Sequence, residues 1–309
     1  MAGATQPAPT ARRLVRGEAI FSESVYLDLV SADGRSGFVA RIGRFPEARV
    51  AWLWGHVFTP EHGMRAFVDH EAPDGGEPAG VEANEVRYLG ASGEGDTLAH
   101  LSVVRTGPRL APRSVTLTAR LPLRPVAAAD GEEPAAVAPE VAVLAATWQP
   151  RHAVFESLTG RSEVLGATEA TLRLGGDERS VRGFGHFHEQ HQEQPRFTTP
   201  FVYATLRGVR FSCIAIRSRG ADRGFAARDP GSQPVAISRI GIGPPGDTRR
   251  LRLELADGST LLGRLEATYR YTNTLFGVVR KASIVRGEVG GEPVTGCVND
   301  FLEGDLDYL

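Results

Sequence analysis

Histidine and glutamate are concentrated in one short segment of this chain. His186, His188, Glu189, His191 and Glu193 fall within eight positions, and they include three of the eight histidines in the sequence. An imidazole or carboxyl group in an apolar cavity can have its pKa moved toward neutrality, and it can then exchange a proton with a bound molecule. The segment therefore predicts general acid–base chemistry.

Two other interpretations of this segment remain open. His186-x-His188 followed by Glu193 is similar to the first half of the metal-binding motif of cupins, although no histidine follows His191 to complete the second half. The histidines from which a metal would have to take further ligands are His56, His62, His70, His100 and His152. The third interpretation is a solvated hairpin end that is merely rich in histidine. We favour acid–base chemistry over both.

Aromatic residues are concentrated in a second segment, VAWLWGHVFTPEHGMRAFVDHE, at positions 50–71. On a strand, Trp52, Trp54 and His56 would share one face. Such a face suits the wall of a cavity for an apolar ligand, although two tryptophans on a strand are also typical of a packed core. A buried imidazole needs a partner, which makes His56 a candidate for hydrogen bonding to a substrate. Tyr203 lies on a further predicted strand that follows the histidine-rich segment.

The elements that must position these side chains are β-strands. Apolar and polar residues alternate over Ser114–Leu123, and again over Leu251–Leu255 and Leu261–Tyr271, which are joined through Ala-Asp-Gly. Asp and Gly tolerate the positive φ angles of a tight turn, so the last two runs predict a hairpin. No apolar pattern of helical period extends over a dozen residues. Frequent turns, with 36 glycines and 20 prolines, favour an all-β sandwich or barrel.

The composition argues against several classes of protein. The 309 residues carry 35 basic and 37 acidic side chains, and no block of Lys or Arg stands apart from nearby acids, so we expect no nucleic-acid partner. Cys213 and Cys297 form no CxxC pattern, which argues against a disulfide framework. No apolar run approaches the ~18 residues of a membrane span, and none follows the first basic residues as in a signal peptide. We therefore expect a cytoplasmic protein.

One segment interrupts the strands near the middle of the chain. Val126–Glu140 is rich in Ala, Pro and Glu, a composition typical of a linker. We therefore predict a boundary near residue 150. The expected parts are a disordered tail over 1–15, an N-terminal domain over 16–150 and a C-terminal domain over 151–309.

The stretch from His152 to Phe211 resembles the second half of the carotenoid 1,2-hydratase (hydroxyneurosporene synthase) and AttH-like proteins. In that family a Glu-containing strand and a glycine-containing turn region lead to a motif like G-x-R-D-H-S-W-G. The corresponding positions here are Phe155-Glu156-Ser157, Gly160, Gly166, Gly176 and Gly185–Gln192. The N-terminal half, with Gly37–Gly43 leading into Val50–Trp54, is also similar, so the resemblance extends over nearly the whole chain.

The chain departs from the family motif at its functional core. Phe187, His188, Glu189 and His191 stand where the family has arginine, aspartate, histidine and tryptophan. The resemblance implies two lipocalin-like antiparallel β-barrels in tandem, and a long apolar isoprenoid or polyketide substrate. Because relatives of this fold include Diels–Alder cyclases as well as hydratases, the resemblance implies a substrate class and not one reaction.

These observations together predict an enzyme of specialised terpenoid or polyene metabolism that uses no cofactor. Its hydrophobic substrate would undergo acid-triggered hydration, isomerisation or cyclisation, or a cyclisation enforced by the shape of the cavity. Peripheral contact with a membrane is compatible with such a substrate. An imidazolium or a carboxylic acid fits alkene protonation, because the resulting cation needs an apolar, aromatic pocket.

The predicted residues divide into two groups. The predicted proton donors and acceptors are His188, Glu189, His191 and Glu193. The predicted substrate-binding residues are Trp52, Trp54, His56, His186 and Tyr203. Two alternatives to this function remain, namely a non-catalytic carrier of hydrophobic small molecules and a metal-dependent β-barrel enzyme.

Overall fold

A computed structural model of the chain describes residues 12–76, 78, 83–126, 137–158, 160–193, 198–219, 221–229, 231–275, 278–302 and 308. Most of these residues lie in antiparallel β-strands, which confirms the all-β fold predicted from the alternating pattern. The helical elements within these ranges are two short 3-10 turns, Pro46–Ala48 and Gly95–Thr97. Neither turn has the length or apolar character that crossing a bilayer would require of a helix.

The first eleven strands form one sheet. They are β1 (Phe21–Ser31), β2 (Gly37–Phe45), β3 (Val50–Thr59), β4 (Gly63–Pro73), β5 (Glu85–Ser92), β6 (Ala99–Thr106), β7 (Ser114–Pro125), β8 (Glu140–Pro150), β9 (Phe155–Leu158), β10 (Arg161–Leu174) and β11 (Asp177–Glu193). Their order is β4-β3-β2-β1-β11-β10-β8-β7-β6-β5, and β9 pairs with β10. A further pairing of β4 with β7 closes the sheet into a ring around an apolar core.

The remaining strands form a second, closed barrel. They are β12 (Phe201–Arg207), β13 (Ser212–Ser218), β14 (Ala221–Ala227), β15 (Val235–Ile242), β16 (Thr248–Leu255), β17 (Thr260–Leu275), β18 (Val278–Val289) and β19 (Glu292–Leu302). Each strand pairs with the next, and β19 pairs back with β12 around a core of its own. Two barrel-like sheets in tandem are therefore present, as the lipocalin-like interpretation predicted.

The change from one sheet to the other does not coincide with the predicted boundary near residue 150. Strands β9 to β11 belong to the first sheet, so the change falls between Glu193 and Phe201. The physical reason is the pairing of β11 with β1, a contact between distant parts of the chain that local composition does not reveal. Residues 127–136 of the predicted linker and residues 1–11 of the predicted tail lie outside the described part of the chain.

The outer faces of the two sheets pack against each other. On β3, Leu53 and Val57 belong to the core of the first sheet. Trp52 and Trp54 lie on the opposite face and join Phe301 of the barrel in a separate apolar cluster. Both faces of β3 are therefore buried, one inside the sheet and one between the sheet and the barrel.

Gly185 on β11 is closely surrounded by neighbouring strands. A Cβ atom there would overlap Oγ1 of Thr168 and would lie 2.8 Å from the carbonyl oxygen of Asp28. We expect Gly185→Ala to lower the free energy of unfolding, measured in urea, by ~1–3 kcal/mol. The reason is that the added methyl group would force the neighbouring strands apart. Gly246→Ala is the control, since its Cβ would meet the Thr248 carbonyl oxygen only at 3.9 Å. Equal losses from both substitutions would contradict the steric explanation.

Candidate functional site

A cavity of about 360 Å³ lies between the outer face of the first sheet and the barrel. Its apolar and aromatic lining residues are Tyr26, Trp54, Phe201, Tyr203, Ile216 and Phe301. Its polar lining residues are Arg41, Arg161, His188, Gln190, Gln192, Thr198, Thr199, Ser218, Arg223, Arg280 and Asn299. The cavity therefore combines aromatic walls with an imidazole and several guanidinium groups.

His188 presents its imidazole to this cavity. It pairs across the sheet with Tyr26 of β1, and the two rings stack with centroids 5.1 Å apart and planes inclined by 6°. His186 lies on the same face of β11, with its ring centroid 5.6 Å from that of His188. His188 is only 7% exposed, so little bulk solvent reaches its ring. A molecule in the cavity would contact the exposed part of the ring directly.

Tyr203 belongs to a buried polar cluster at the cavity wall. Its hydroxyl donates a hydrogen bond to Oε2 of Glu163 at 2.8 Å, and Nε2 of His186 lies 3.6 Å from the same oxygen. Nε of Arg161 contacts the other carboxylate oxygen at 2.5 Å. The cluster therefore fixes the direction of the Tyr203 hydroxyl.

The surroundings keep Tyr203 and His186 uncharged near neutral pH. Burial, reinforced by the charge of Glu163, raises the pKa of Tyr203 well above its ordinary value. Burial also lowers the pKa of His186, although the nearby carboxylate of Glu163 opposes the effect. Tyr203 therefore presents a neutral hydroxyl at the cavity, with its proton donated to Glu163 and its oxygen able to accept a hydrogen bond, and His186 is an uncharged neighbour behind it.

Among the aromatic residues predicted on β3, Trp54 reaches the cavity. Cζ of Arg41 lies 4.4 Å from its ring centroid, a cation–π contact. Trp52 lies behind the wall, with its ring centroid 6.4 Å from that of Trp54. His56 also lies behind the wall, where its ring packs 4.7 Å from that of Tyr271. His56 is therefore not among the residues that line this cavity.

The buried imidazole of His56 makes the fold sensitive to acid. Burial, together with the charge of Arg280, lowers the pKa of His56 to about 3. In an unfolded chain the group titrates at about 6.5. Between these values the unfolded state binds a proton that the folded state does not, so stability falls as the pH falls. We expect His56 to lower the free energy of unfolding by about 2 kcal/mol from pH 7 to pH 5.

Urea unfolding of the wild type and His56→Gln at several pH values measures this contribution. The stability of the wild type is expected to fall more steeply than that of His56→Gln, while the exposed control His100→Gln follows the wild type. The pKa of His191 is raised, because burial is outweighed by its bonds to acidic neighbours, and this group therefore adds stability as the pH falls. Since His191 is present in all three proteins, its contribution cancels in the comparison. Parallel pH curves for the wild type and His56→Gln would contradict an uncharged His56.

Glu189 and His191 lie on the opposite face of β11 from His188. Glu189 is buried and pairs with Nε of Arg105 at 2.5 Å, while Nε2 of His191 lies 3.2 Å from its Oε1. Burial opposes ionisation of Glu189, but His191 and Arg105 outweigh it and hold its pKa below the ordinary value. Glu193 is exposed at the end of the strand. The alternation of the strand thus separates the predicted proton donors instead of bringing them together.

The structure therefore places the predicted residues at three levels, the last of which is formed by Glu189, His191 and Glu193, away from the cavity on the opposite face of β11. Those that line the cavity are Trp54, His188 and Tyr203. Those that lie behind its wall are Trp52, His56 and His186. The arginines of the lining, Arg41, Arg161, Arg223 and Arg280, were not predicted from the sequence. A usable signal in the sequence was Arg41, a charged residue within the otherwise apolar run from Phe38 to Ile42.

The histidines considered as additional metal ligands are engaged elsewhere or dispersed. Nε2 of His62 lies 3.2 Å from a carboxylate oxygen of Asp177, and Nε2 of His152 lies 2.8 Å from Oγ of Ser212. Within the ranges that the structure describes, no three side chains of His, Cys, Asp or Glu are grouped so that they could hold a metal ion.

Comparison with solved structures finds proteins of similar fold. CghA is similar with a TM-score of 0.60 and 11% identity, covering 97% of this chain and 96% of that chain. CghA with Sch210972 gives a TM-score of 0.58 and 11% identity over 94% of each chain. A protein described as AttH, from Nitrosomonas europaea, gives a TM-score of 0.53 and 11% identity, covering 91% of this chain and 92% of that chain. The likeness confirms, at the level of the fold, the predicted resemblance to AttH-like proteins.

Sequence comparison assigns the chain to one family. No curated protein matches the sequence. A family model described as a domain of unknown function, DUF7064, matches residues 10–187. The match includes the strand of Trp54 and most of β11, and it covers more than half of the 309 residues. The chain therefore belongs to the DUF7064 family.

Proposed function

We propose that this protein is an enzyme of specialised metabolism that binds a hydrophobic organic molecule in the cavity between the sheet and the barrel. The reaction would be a hydration, an isomerisation or a cyclisation. The observation that carries the proposal is the meeting of aromatic walls and the His188 imidazole at one cavity. Small-molecule sites are typically concave and largely apolar, with a few placed polar groups.

The position of the cavity favours confinement as part of catalysis. Its walls come from two separately closed sheets, with Trp54 on one side and Phe301 on the other. A flexible chain held between them would lose conformational freedom on binding, which brings reacting atoms together. CghA, which is similar in fold, has been solved with Sch210972. That structure supports the proposal that a fold of this kind can hold a bound compound.

The charges around the cavity favour chemistry at a substrate oxygen. Cζ of Arg280 lies 5.3 Å from the Trp54 ring centroid, and Cζ of Arg41 lies 4.4 Å from the same centroid. A carbocation on the substrate would be repelled by the positive charge of these guanidinium groups. The guanidinium groups also already contact the Trp54 ring, the aromatic surface that would otherwise stabilise such a cation. Negative charge that develops on a carbonyl or enol oxygen would instead be stabilised. We therefore favour a carbonyl-containing substrate over alkene protonation.

His188 is the lining side chain to which we assign proton exchange with that oxygen. Its ring plane is set by the stack on Tyr26, so the imidazole is oriented before the substrate binds. Tyr203 would accept a hydrogen bond beside it, because its own proton is donated to Glu163. General acid–base catalysis needs such a positioned group within hydrogen-bond reach of the reacting atom.

A metabolite assay tests the proposed function. An extract of a strain from which the gene has been deleted is incubated with the purified protein and analysed by liquid chromatography and mass spectrometry. We expect one compound to be replaced by an isomer of equal mass or by a product heavier by one water. An extract in which no compound changes would contradict the proposal. A compound that binds and is released unchanged would identify a carrier and would contradict it as well.

A further inference from the structure

Arg280 on β18 is a buried cation at the cavity. Its side chain is 3% exposed and belongs to the cavity lining. One nitrogen, Nη2, donates hydrogen bonds to the hydroxyl of Tyr271 at 3.0 Å and to Oδ1 of Asn299 at 2.5 Å. Among the described residues, its Nε and Nη1 atoms have no hydrogen-bond partner. The residue therefore brings unused donors to the cavity together with a positive charge.

A buried guanidinium group with unused donors is unfavourable unless an acceptor with negative charge binds to it. A guanidinium group keeps its charge in proteins and has no acceptor atoms. Burying such a charge without a counter-ion is strongly unfavourable, and a buried donor without a partner adds to the loss. In the described part of the chain, no carboxylate forms an ion pair with Arg280. The ligand that occupies the cavity is the natural source of the missing negative charge.

The carboxylates behind the cavity wall already have cations of their own. Asp28 binds both terminal nitrogens of Arg207. Glu163 contacts Arg161 at 2.5 Å. Because Asp28 and Glu163 pair with other arginines, they do not neutralise the charge of Arg280 at the cavity surface.

We propose that Arg280 binds an anionic oxygen of the cavity ligand, so that the substrate is a hydrophobic organic acid. A carboxylate or an acidic enolate would accept hydrogen bonds from Arg280, and the apolar part would lie along Trp54 and Phe301. The proposal rests on the proposed function, because it takes the cavity as the substrate site.

Binding of a charged probe and its uncharged counterpart tests the proposal. The probes are cis-parinaric acid, a fluorescent polyene carboxylic acid, and its methyl ester, each titrated into the full-length protein. We expect the wild type to bind the acid about tenfold more tightly than the ester or better. Arg280→Gln is expected to weaken binding of the acid about 10- to 100-fold and to leave binding of the ester unchanged, as for the loss of a charge-assisted hydrogen bond.

Two further variants separate charge recognition from a structural role. Arg280→Lys keeps the positive charge and is expected to retain part of the preference for the acid. Arg264→Gln removes an exposed arginine on β17 and is expected to leave both affinities unchanged. Weaker binding of acid and ester alike in both Arg280 variants would assign the residue to the fold and overturn the proposal.

The cavity-filling variant Ile216→Trp distinguishes failure of this proposal from failure of the proposed function. If it abolishes binding of both probes while Arg280→Gln binds the acid like the wild type, the cavity is the binding site and only the anion proposal fails. If both probes bind Ile216→Trp normally, the cavity is not the binding site and both proposals fail. If neither probe binds the wild type, the proposed ligand class is overturned, and the metabolite assay decides the function separately.

Discussion

Asp28→Asn is expected to lower the free energy of unfolding by about 3–5 kcal/mol. Asp28 on β1 is fully buried and binds Arg207 on β12, with Oδ2 3.0 Å from Nη2. Its carboxylate also accepts hydrogen bonds from the hydroxyl of Tyr26 at 3.0 Å and from the backbone nitrogen of His186 at 2.8 Å. Removing its charge leaves the guanidinium of Arg207, which is 1% exposed, without its counter-ion.

Urea unfolding at neutral pH measures this loss against a matched surface pair. Glu266→Gln removes one partner of an exposed pair, in which Glu266 lies 3.7 Å from Arg286, and is expected to change stability by less than about 1 kcal/mol. Combining Asp28→Asn with Arg207→Met is expected to recover part of the loss, because the unpaired charge is then absent. Equal effects of Asp28→Asn and Glu266→Gln would contradict a buried pair that joins the two sheets.

The Asp28 pair also connects the fold to the proposed site. Asp28 accepts the hydroxyl proton of Tyr26 in a hydrogen bond, and Tyr26 is the residue on which His188 stacks. The same carboxylate binds the backbone of His186, two positions before His188. The Asp28–Arg207 pair, which joins the barrel to the first sheet, therefore also helps to orient His188, the residue to which we assign proton exchange.

His188→Ala is expected to reduce turnover of the substrate found in the metabolite assay by about 10²–10⁴-fold, the usual range for loss of a general acid or base. Binding of the substrate is expected to change much less, because the aromatic walls and Arg280 remain. Initial rates and equilibrium binding, measured on the same preparation, separate the two effects.

His100→Ala is the control for this substitution, since His100 is exposed on β6. It is expected to keep the rate of the wild type. A rate for His188→Ala equal to that of His100→Ala would contradict proton exchange by His188. It would instead favour a cyclisation that depends on the shape of the cavity alone.

Much of the architecture follows from local pattern. Alternation of apolar and polar residues predicts the strands, because side chains on a strand point to opposite faces in turn. The same rule places Trp52, Trp54 and His56 on one face, and it separates His186 and His188 from Glu189. The structure contains these arrangements, and Trp54, His188 and Tyr203 line the cavity.

The rest depends on contacts between distant parts of the chain. Over Gly185–Gln190 both faces of β11 are buried, because one face points into the core of the first sheet, as Phe187 does, and the barrel covers the other, where His186 meets Tyr203. Residues that are adjacent in the sequence are therefore separated in the structure. Glu189 lies inside the first sheet, while His188 faces the cavity. Arg280 and Trp54 are far apart in sequence, and only the packing of the barrel on the sheet brings them to one site.

Turnover by Ile216→Trp shows whether the reaction takes place in the cavity between the sheet and the barrel. Ile216 on β13 lines the cavity, and an indole there would fill the space proposed for the substrate while leaving every charged residue in place. Val209→Trp, at a side chain that is 69% exposed, is the control for adding a tryptophan. We predict that Ile216→Trp retains the thermal stability of Val209→Trp but loses at least about a hundredfold in rate. Equal rates for the two variants would contradict catalysis in this cavity.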